Sequence, residues 1–184
     1  ILFPGTGVDL DLTRTNGELV FASGGVADLA GFEVFETGSG SDTIRGTSAS
    51  EQFFSEQGSD FFYFSGGDDL YHGGSDISID TVDFSNYAGS IFLIATGVST
   101  REIWTGAGGT GERLAQLVSI DELITGASAD HLIGSSGSET LRGGGGADQI
   151  FGESGNDTLD GGSGNDTLEG DDGDDTLIGG GGAD

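Results

Sequence analysis

The chain of 184 residues contains no cysteine and no methionine, one proline, one tryptophan, and only five lysines and arginines together. Without cysteine there is no disulfide to hold the fold, no thiol nucleophile, and nothing for a reducing compartment to protect. Five basic residues against 32 acidic ones leave a formal net charge of −27, which argues against binding nucleic acid or an anionic membrane. The same charge makes collapse without counter-ions costly. No apolar run approaches the roughly 20 residues needed to cross a bilayer. A signal peptide and an initiator Met are both missing; the sequence starts at Ile1 and stops inside a repeat at Asp184, and so reads as a piece of a longer chain. Catalytic motifs are missing too, with no H-E-x-x-H zinc pattern and no G-x-S-x-G nucleophile elbow.

What is abundant is glycine, 38 residues of it, and much of it is periodic. From Gly143 to Asp184 the chain reads GGGGADQIF, GESGNDTLD, GGSGNDTLE, GDDGDDTLI and GGGGAD, a nine-residue unit repeated four times and broken off inside a fifth. Glycine stands at the first, second and fourth places: Gly143, Gly144 and Gly146; Gly152 and Gly155; Gly161, Gly162 and Gly164; Gly170 and Gly173; Gly179, Gly180 and Gly182. These glycines predict positive φ, sharp turns and carbonyls free to converge on a cation. The sixth places, Asp148, Asp157, Asp166, Asp175 and Asp184, each add a hard carboxylate, and the last three residues form a very short strand with Ile150, Leu159, Leu168 or Leu177 pointing inward. A flexible acidic linker has no reason to keep apolar residues at a strict period of nine. Two units close one coil, which stacks Asp148 under Asp166 and Asp184, and Asp157 under Asp175. Stacked carboxylates repel unless a cation lies between them, and a ligand set made only of oxygen suits Ca²⁺.

The same phase runs more faintly through the first half. Sixth places at Asp42, Asp60 and Asp69, with Glu33 and Glu51, accompany eighth places at Phe35, Ile44, Phe53, Phe62 and Tyr71. The phase then slips by two residues, so that Asp80, Val82 and Phe84 close a first roll, and it returns with Asp121, Asp130 and Glu139. Residues 31–46 align without gaps on 119–134, an offset of 88, and the apolar strands before them align at an offset of 83, Val8 on Ile91 and Leu10 on Leu93. Residues 14–30 and 97–115 read as excursions outside the coil. The strand at 90–95, apolar on both faces, is expected to be buried. A module of strand, excursion and roll therefore occurs twice, at 1–88 and 89–184.

The unit G-G-x-G-x-D-x-U-x resembles the calcium-binding repeat of RTX, or hemolysin-type, proteins. The resemblance implies an all-β fold, a right-handed parallel β-roll or β-helix, with several Ca²⁺ ions between successive turns. It also implies a secreted, cell-surface or periplasmic setting, with export by type I secretion. Ser128 and Ala49 replace the fourth-place glycine, and Glu51 and Glu139 replace the sixth-place Asp, so calcium is expected to be weak or absent there.

Chemistry beyond calcium is thin. His72 and His131 stand beside inward residues on short strands and are expected on the surface, and the well-placed carboxylate pairs all belong to the repeat. One feature exceeds what a roll needs: Phe54, Phe61 and Tyr63 are expected to face outward, as a docking surface for a protein partner or as the floor under an excursion. The expected function is a non-catalytic calcium-binding scaffold that folds outside the cytosol. The rival readings are the calcium module of a larger secreted protease, lipase or epimerase, and a structural subunit docked on a larger assembly.

Overall fold

The computed structural model describes residues 9–11, 18–20, 26–28, 34–95, 100–105 and 111–184. Among these there is no helix, and so none long and apolar enough to cross a membrane. Two sheets, of nine and ten strands, face each other across a narrow apolar interior. The chain alternates between them, making a β-solenoid of about seven turns, as a parallel β-roll requires. In the ten-stranded sheet the parallel rows are Thr43–Arg45, Phe61–Tyr63, Thr81–Asp83, Glu122–Ile124, Thr140–Arg142, Thr158–Asp160 and Thr176–Ile178. The opposite sheet carries Val34–Ser39, Gln52–Gln57, Asp69–His72, Arg113–Val118, His131–Ile133, Gln149–Phe151 and Thr167–Glu169.

Strands of three residues survive because each places one side chain inward and two outward, and stacking does the rest. Every eighth-place residue from Phe35 to Tyr71, and from Leu132 to Leu159, is fully buried. In the first half the inward column is aromatic, with the Phe35 and Phe53 rings 5.4 Å apart and Phe53 and Tyr71 5.6 Å apart. In the second half it is aliphatic. Leu177 is 48% exposed, because Thr176–Ile178 is the outermost row of its sheet. The slipped phase behaves as expected, Val82 and Phe84 being fully buried at the close of the first roll.

The regions read as excursions are instead strands of the sheets. After Thr81–Asp83 the chain crosses to Phe92–Ala95, which pairs in parallel with His131–Ile133. It then doubles back antiparallel through Thr100–Trp104 to Arg113–Val118, which lies parallel to Asp69–His72. The reversal adds two strands to one sheet and none to the other. Arg113–Val118 buries Leu114, Ala115 and Leu117, whereas Thr100–Trp104 alternates strictly but carries an inward arginine that hides its apolar period. In the first excursion, Glu18–Val20 and Val26–Asp28 form an antiparallel extension beside Asp9–Asp11; Val8 and Glu33 lie outside the described residues. Leu10 pairs in register with Ile44 as Leu93 pairs with Leu132, so the two reversals attach to their rolls at the positions that the two offsets relate. Burial of the 90–95 strand on both faces is not observed: Ile91 and Leu93 are fully buried, whereas Phe92 is half-buried on the outer face beside His131.

The outward aromatics split between opposite faces. Phe61 and Tyr63 pack on each other at 4.7 Å on the ten-stranded side, with the Arg45 guanidinium 3.9 Å from the Tyr63 ring. Phe54 lies on the other side, 5.6 Å from the ring of His72. All three are half-buried.

Candidate metal centre

In the regular turns the sixth-place Asp carboxylate is divided between two tasks. One oxygen ties neighbouring coils together by accepting the backbone N–H of the sixth-place residue eighteen positions earlier. Asp130 N–H donates to Asp148 Oδ1 at 2.7 Å, Asp148 to Asp166 at 2.9 Å, and Asp166 to Asp184 at 3.0 Å. On the opposite flank Glu139 donates to Asp157 at 2.7 Å and Asp157 to Asp175 at 2.9 Å. The earlier roll repeats the device, from Asp42 to Asp60 at 2.8 Å and from Glu51 to Asp69 at 3.0 Å. The flanks are thus sewn by side chains as well as by backbone bonds, among them Ser163 N–H to the Gly144 carbonyl and Asp172 N–H to the Glu153 carbonyl, both at 2.8 Å.

The second oxygen has no such use. Oδ2 of Asp148, Asp157 and Asp166 is buried without a hydrogen-bond donor, as are those of Asp60 and Asp130. A buried carboxylate oxygen with no donor is costly unless a cation meets it. The penalty shows in the acidities. Burial pushes the Asp148 carboxyl up to about 7, with Asp130 and Asp166 adding repulsion. It likewise moves Asp60 to about 6 and Asp80 to about 7, and raises Asp130 and Asp157. Asp69, also at about 7 through burial, differs in kind, because the Tyr71 hydroxyl donates to its second oxygen at 2.8 Å.

The glycines shape the space around these oxygens, though not all by the same means. Second- and fourth-place residues take positive φ, as expected: +88° at Gly162 and +146° at Gly164. A Cβ on Gly164 would also land on the Gly146 carbonyl, so the fourth place needs both the conformation and the room. Glu153 and Asp171 adopt the same left-handed region at the second place, at +72° and +62°. First-place glycines do not have positive φ, contrary to expectation. They are glycine because the carboxylate lies against them: a Cβ on Gly161 would be 2.5 Å from Asp166 Oδ2, and one on Gly152 would be 2.6 Å from Asp157 Oδ2. Gly143, Gly170 and Gly179 stand in the same relation to Asp148, Asp175 and Asp184.

Among the described residues no three carboxylates or imidazoles gather at one point. Any cation must therefore combine one or two carboxylates with backbone carbonyls. That set is all oxygen, which fits Ca²⁺ and does not fit metals that prefer nitrogen or sulfur.

Two turns depart from the pattern. At the sixth places Glu51 and Glu139 the longer side chain curls back onto its own turn, where Thr47 and Ser135 each give it a backbone N–H and a hydroxyl. These carboxylates are buried yet partnered. Asp80 and Asp121, which the sequence placed in the repeat phase but not among the candidate ligands, join the stack: Asp60 N–H donates to Asp80 at 2.9 Å and Asp80 N–H to Asp121 at 3.0 Å. The signal that placed them was the slipped phase at Asp80 and its return at Asp121.

The profile of the RTX calcium-binding nonapeptide repeat matches at 29–62, 50–79, 119–150, 133–168 and 151–184, well over half of the chain. The chain belongs to that family. No curated protein matches it. As RTX repeats bind calcium, the unpartnered oxygens have a natural occupant, and the resemblance and the donor chemistry agree.

Two predictions follow from the carboxylates. Carboxyls raised in the folded state stabilise the calcium-free roll below their unfolded value near 4, and that stability is lost as pH rises through about 6 to 7. Calcium-free protein should therefore gain β circular dichroism on acidification from pH 8 to pH 5, while the calcium midpoint of folding should rise over the same range. Loss of β signal on acidification would contradict the burial of these groups. Separately, Asp166→Ala removes one interturn bond and one unpartnered oxygen at the centre of a stack, whereas Glu51→Ala removes a carboxylate satisfied within its own turn. Calcium titration should show Asp166→Ala shifting the folding midpoint far more; equal shifts would sink the assignment of the sixth place.

Proposed function

We propose that this chain is a non-catalytic calcium-binding β-roll of a secreted or cell-surface bacterial protein, which folds on meeting calcium outside the cytosol and then serves as a rigid acidic scaffold. The observation that carries the reading is the stack of buried, donor-less Oδ2 atoms at Asp148, Asp157 and Asp166. Ions are assigned between turns one coil apart, at Asp148 with Asp166, Asp157 with Asp175, and Asp166 with Asp184. Asp42, Asp60 and Asp130 take the weaker positions of the same stacks, and carbonyls of the glycine turns complete each shell. A non-catalytic role is supported by the use of these carboxylates in interturn bonds.

The two halves, 1–88 and 89–184, are read as copies of one module, because the strand pairs Leu10 with Ile44 and Leu93 with Leu132 correspond. The Phe61 and Tyr63 patch, capped by Arg45, is the surface we assign to a protein neighbour. Phe54, on the opposite face, belongs to a different surface.

Energetics favour coupled folding and binding. Each coil buries only about two inward apolar side chains against the chain entropy of eighteen residues, and the net charge is −27. One site with an assumed Kd of ~10 μM adds about 2.7 kcal/mol at ~1 mM calcium, so several sites decide the fold. Circular dichroism at neutral pH in EDTA should show a largely unfolded chain that recovers its β signal when calcium is restored. A full β signal in EDTA would refute the proposal.

A further inference from the structure

The reversal Thr100–Trp104 sends one basic side chain into the interior. Arg101 is buried, with its side chain 5% exposed, and its Nη2 lies 3.4 Å from Oε1 of Glu139, itself 3% exposed. The same nitrogen donates to the Ile120 carbonyl at 2.5 Å. Arg113 and Arg142, by contrast, make their ion pairs on the outer surface.

Arg101 sits where the regular stitching fails. At Asp80, Asp130 and Glu139 the N–H of the sixth-place residue donates to a carboxylate of the next turn in its stack, but the Asp121 N–H goes instead to the Asp80 carbonyl at 3.0 Å. The turns at 119–121 and 134–139 are adjacent where Glu122–Ile124 pairs with Thr140–Arg142. They diverge at their other ends, because the two strands of the reversal stand between Arg113–Val118 and His131–Ile133. A side chain reaching in from the reversal can span this wedge, where a single ion between evenly stacked turns cannot. Burial holds the guanidinium below its usual range, and the carboxylates of Glu139 first, then Asp121 and Asp157, pull the other way. Glu139 is completed by Ser135 of its own turn.

We infer that Arg101 is a tethered cation that takes the place of calcium between the turns at 119–121 and 134–139, so that the junction of the two rolls is closed by the chain's own charge. A divalent ion at Glu139 would face this guanidinium at close range and be repelled. Burial of both partners also means that removing either one leaves an uncompensated charge. The inference rests on the calcium reading, for it says which turn of a calcium roll does without the ion.

The test is calcium stoichiometry by equilibrium dialysis together with the calcium midpoint of folding, on the full chain. Glu139→Gln should bind as many ions as wild type, with a midpoint raised about threefold, since the loss of a buried charge partner is shared among several linked ions. Arg101→Met should behave likewise, and the double variant should return toward the wild-type midpoint because neither charge is then left unpaired. Loss of one bound ion in Glu139→Gln would overturn the inference, as would a double variant no better than Arg101→Met. Should Arg101→Met fail to fold at any calcium concentration, the ion count of Glu139→Gln still decides. Absence of calcium binding by the wild-type chain would overturn the calcium reading itself and this inference with it, a result distinguishable from an ion lost only in the variant.

Discussion

A carboxylate has two oxygens, and in this fold they are given opposite fates. At Asp148, Asp157 and Asp166 one oxygen accepts an N–H from the neighbouring coil, while the other is buried with no donor in reach. The first makes the solenoid stack and the second makes that stack unfavourable by itself. On the proposed calcium reading, a chain built this way holds a geometry that the bound ions complete. The remaining features follow: glycine at the first place, so that the carboxylate can lie against the backbone; left-handed turns at the second and fourth; and a net charge that only cations can offset.

The apolar interior sets the register and supplies little else. One fully buried side chain per three-residue strand is enough to specify which face is inside, and the aromatic column from Phe35 to Tyr71 fills more volume than the leucine column of the second half. That difference matches the glycine usage. Where the turns carry the full glycine set, small inward residues suffice; where Ser, Ala and Glu stand in the turns, larger rings pack the core, and the Tyr71 hydroxyl donates to Asp69. The two strategies meet at the antiparallel reversal, where the stacking rule is broken and a buried ion pair stands.

Much of this was legible in the sequence because a period of nine is hard to mistake. Apolar eighth places, acidic sixth places and glycine-led turns identified the coil, the stacking partners and the ligand class, and even the slipped phase at Asp80, Val82 and Phe84 was recoverable. Residues 97–115 were not, since periodicity marks only strands whose inward residues are apolar, and Arg101 is inward and charged. The first-place glycines misled for another reason: sequence shows that a side chain is absent, not whether conformation or space demanded it. The partnered state of Glu51 and Glu139 was half visible, as a departure from Asp, but the answering Thr47 and Ser135 hydroxyls needed the folded turn to come into view.

The central claim is that calcium meets the donor-less carboxylate oxygens, and the most direct measurement is anomalous scattering from crystals grown in calcium. The account predicts anomalous peaks between turns one coil apart, against the free oxygens of Asp148, Asp157 and Asp166, and none at Glu51 or Glu139. Ordered water in place of those peaks, or ions gathered at the two glutamate turns, would contradict it.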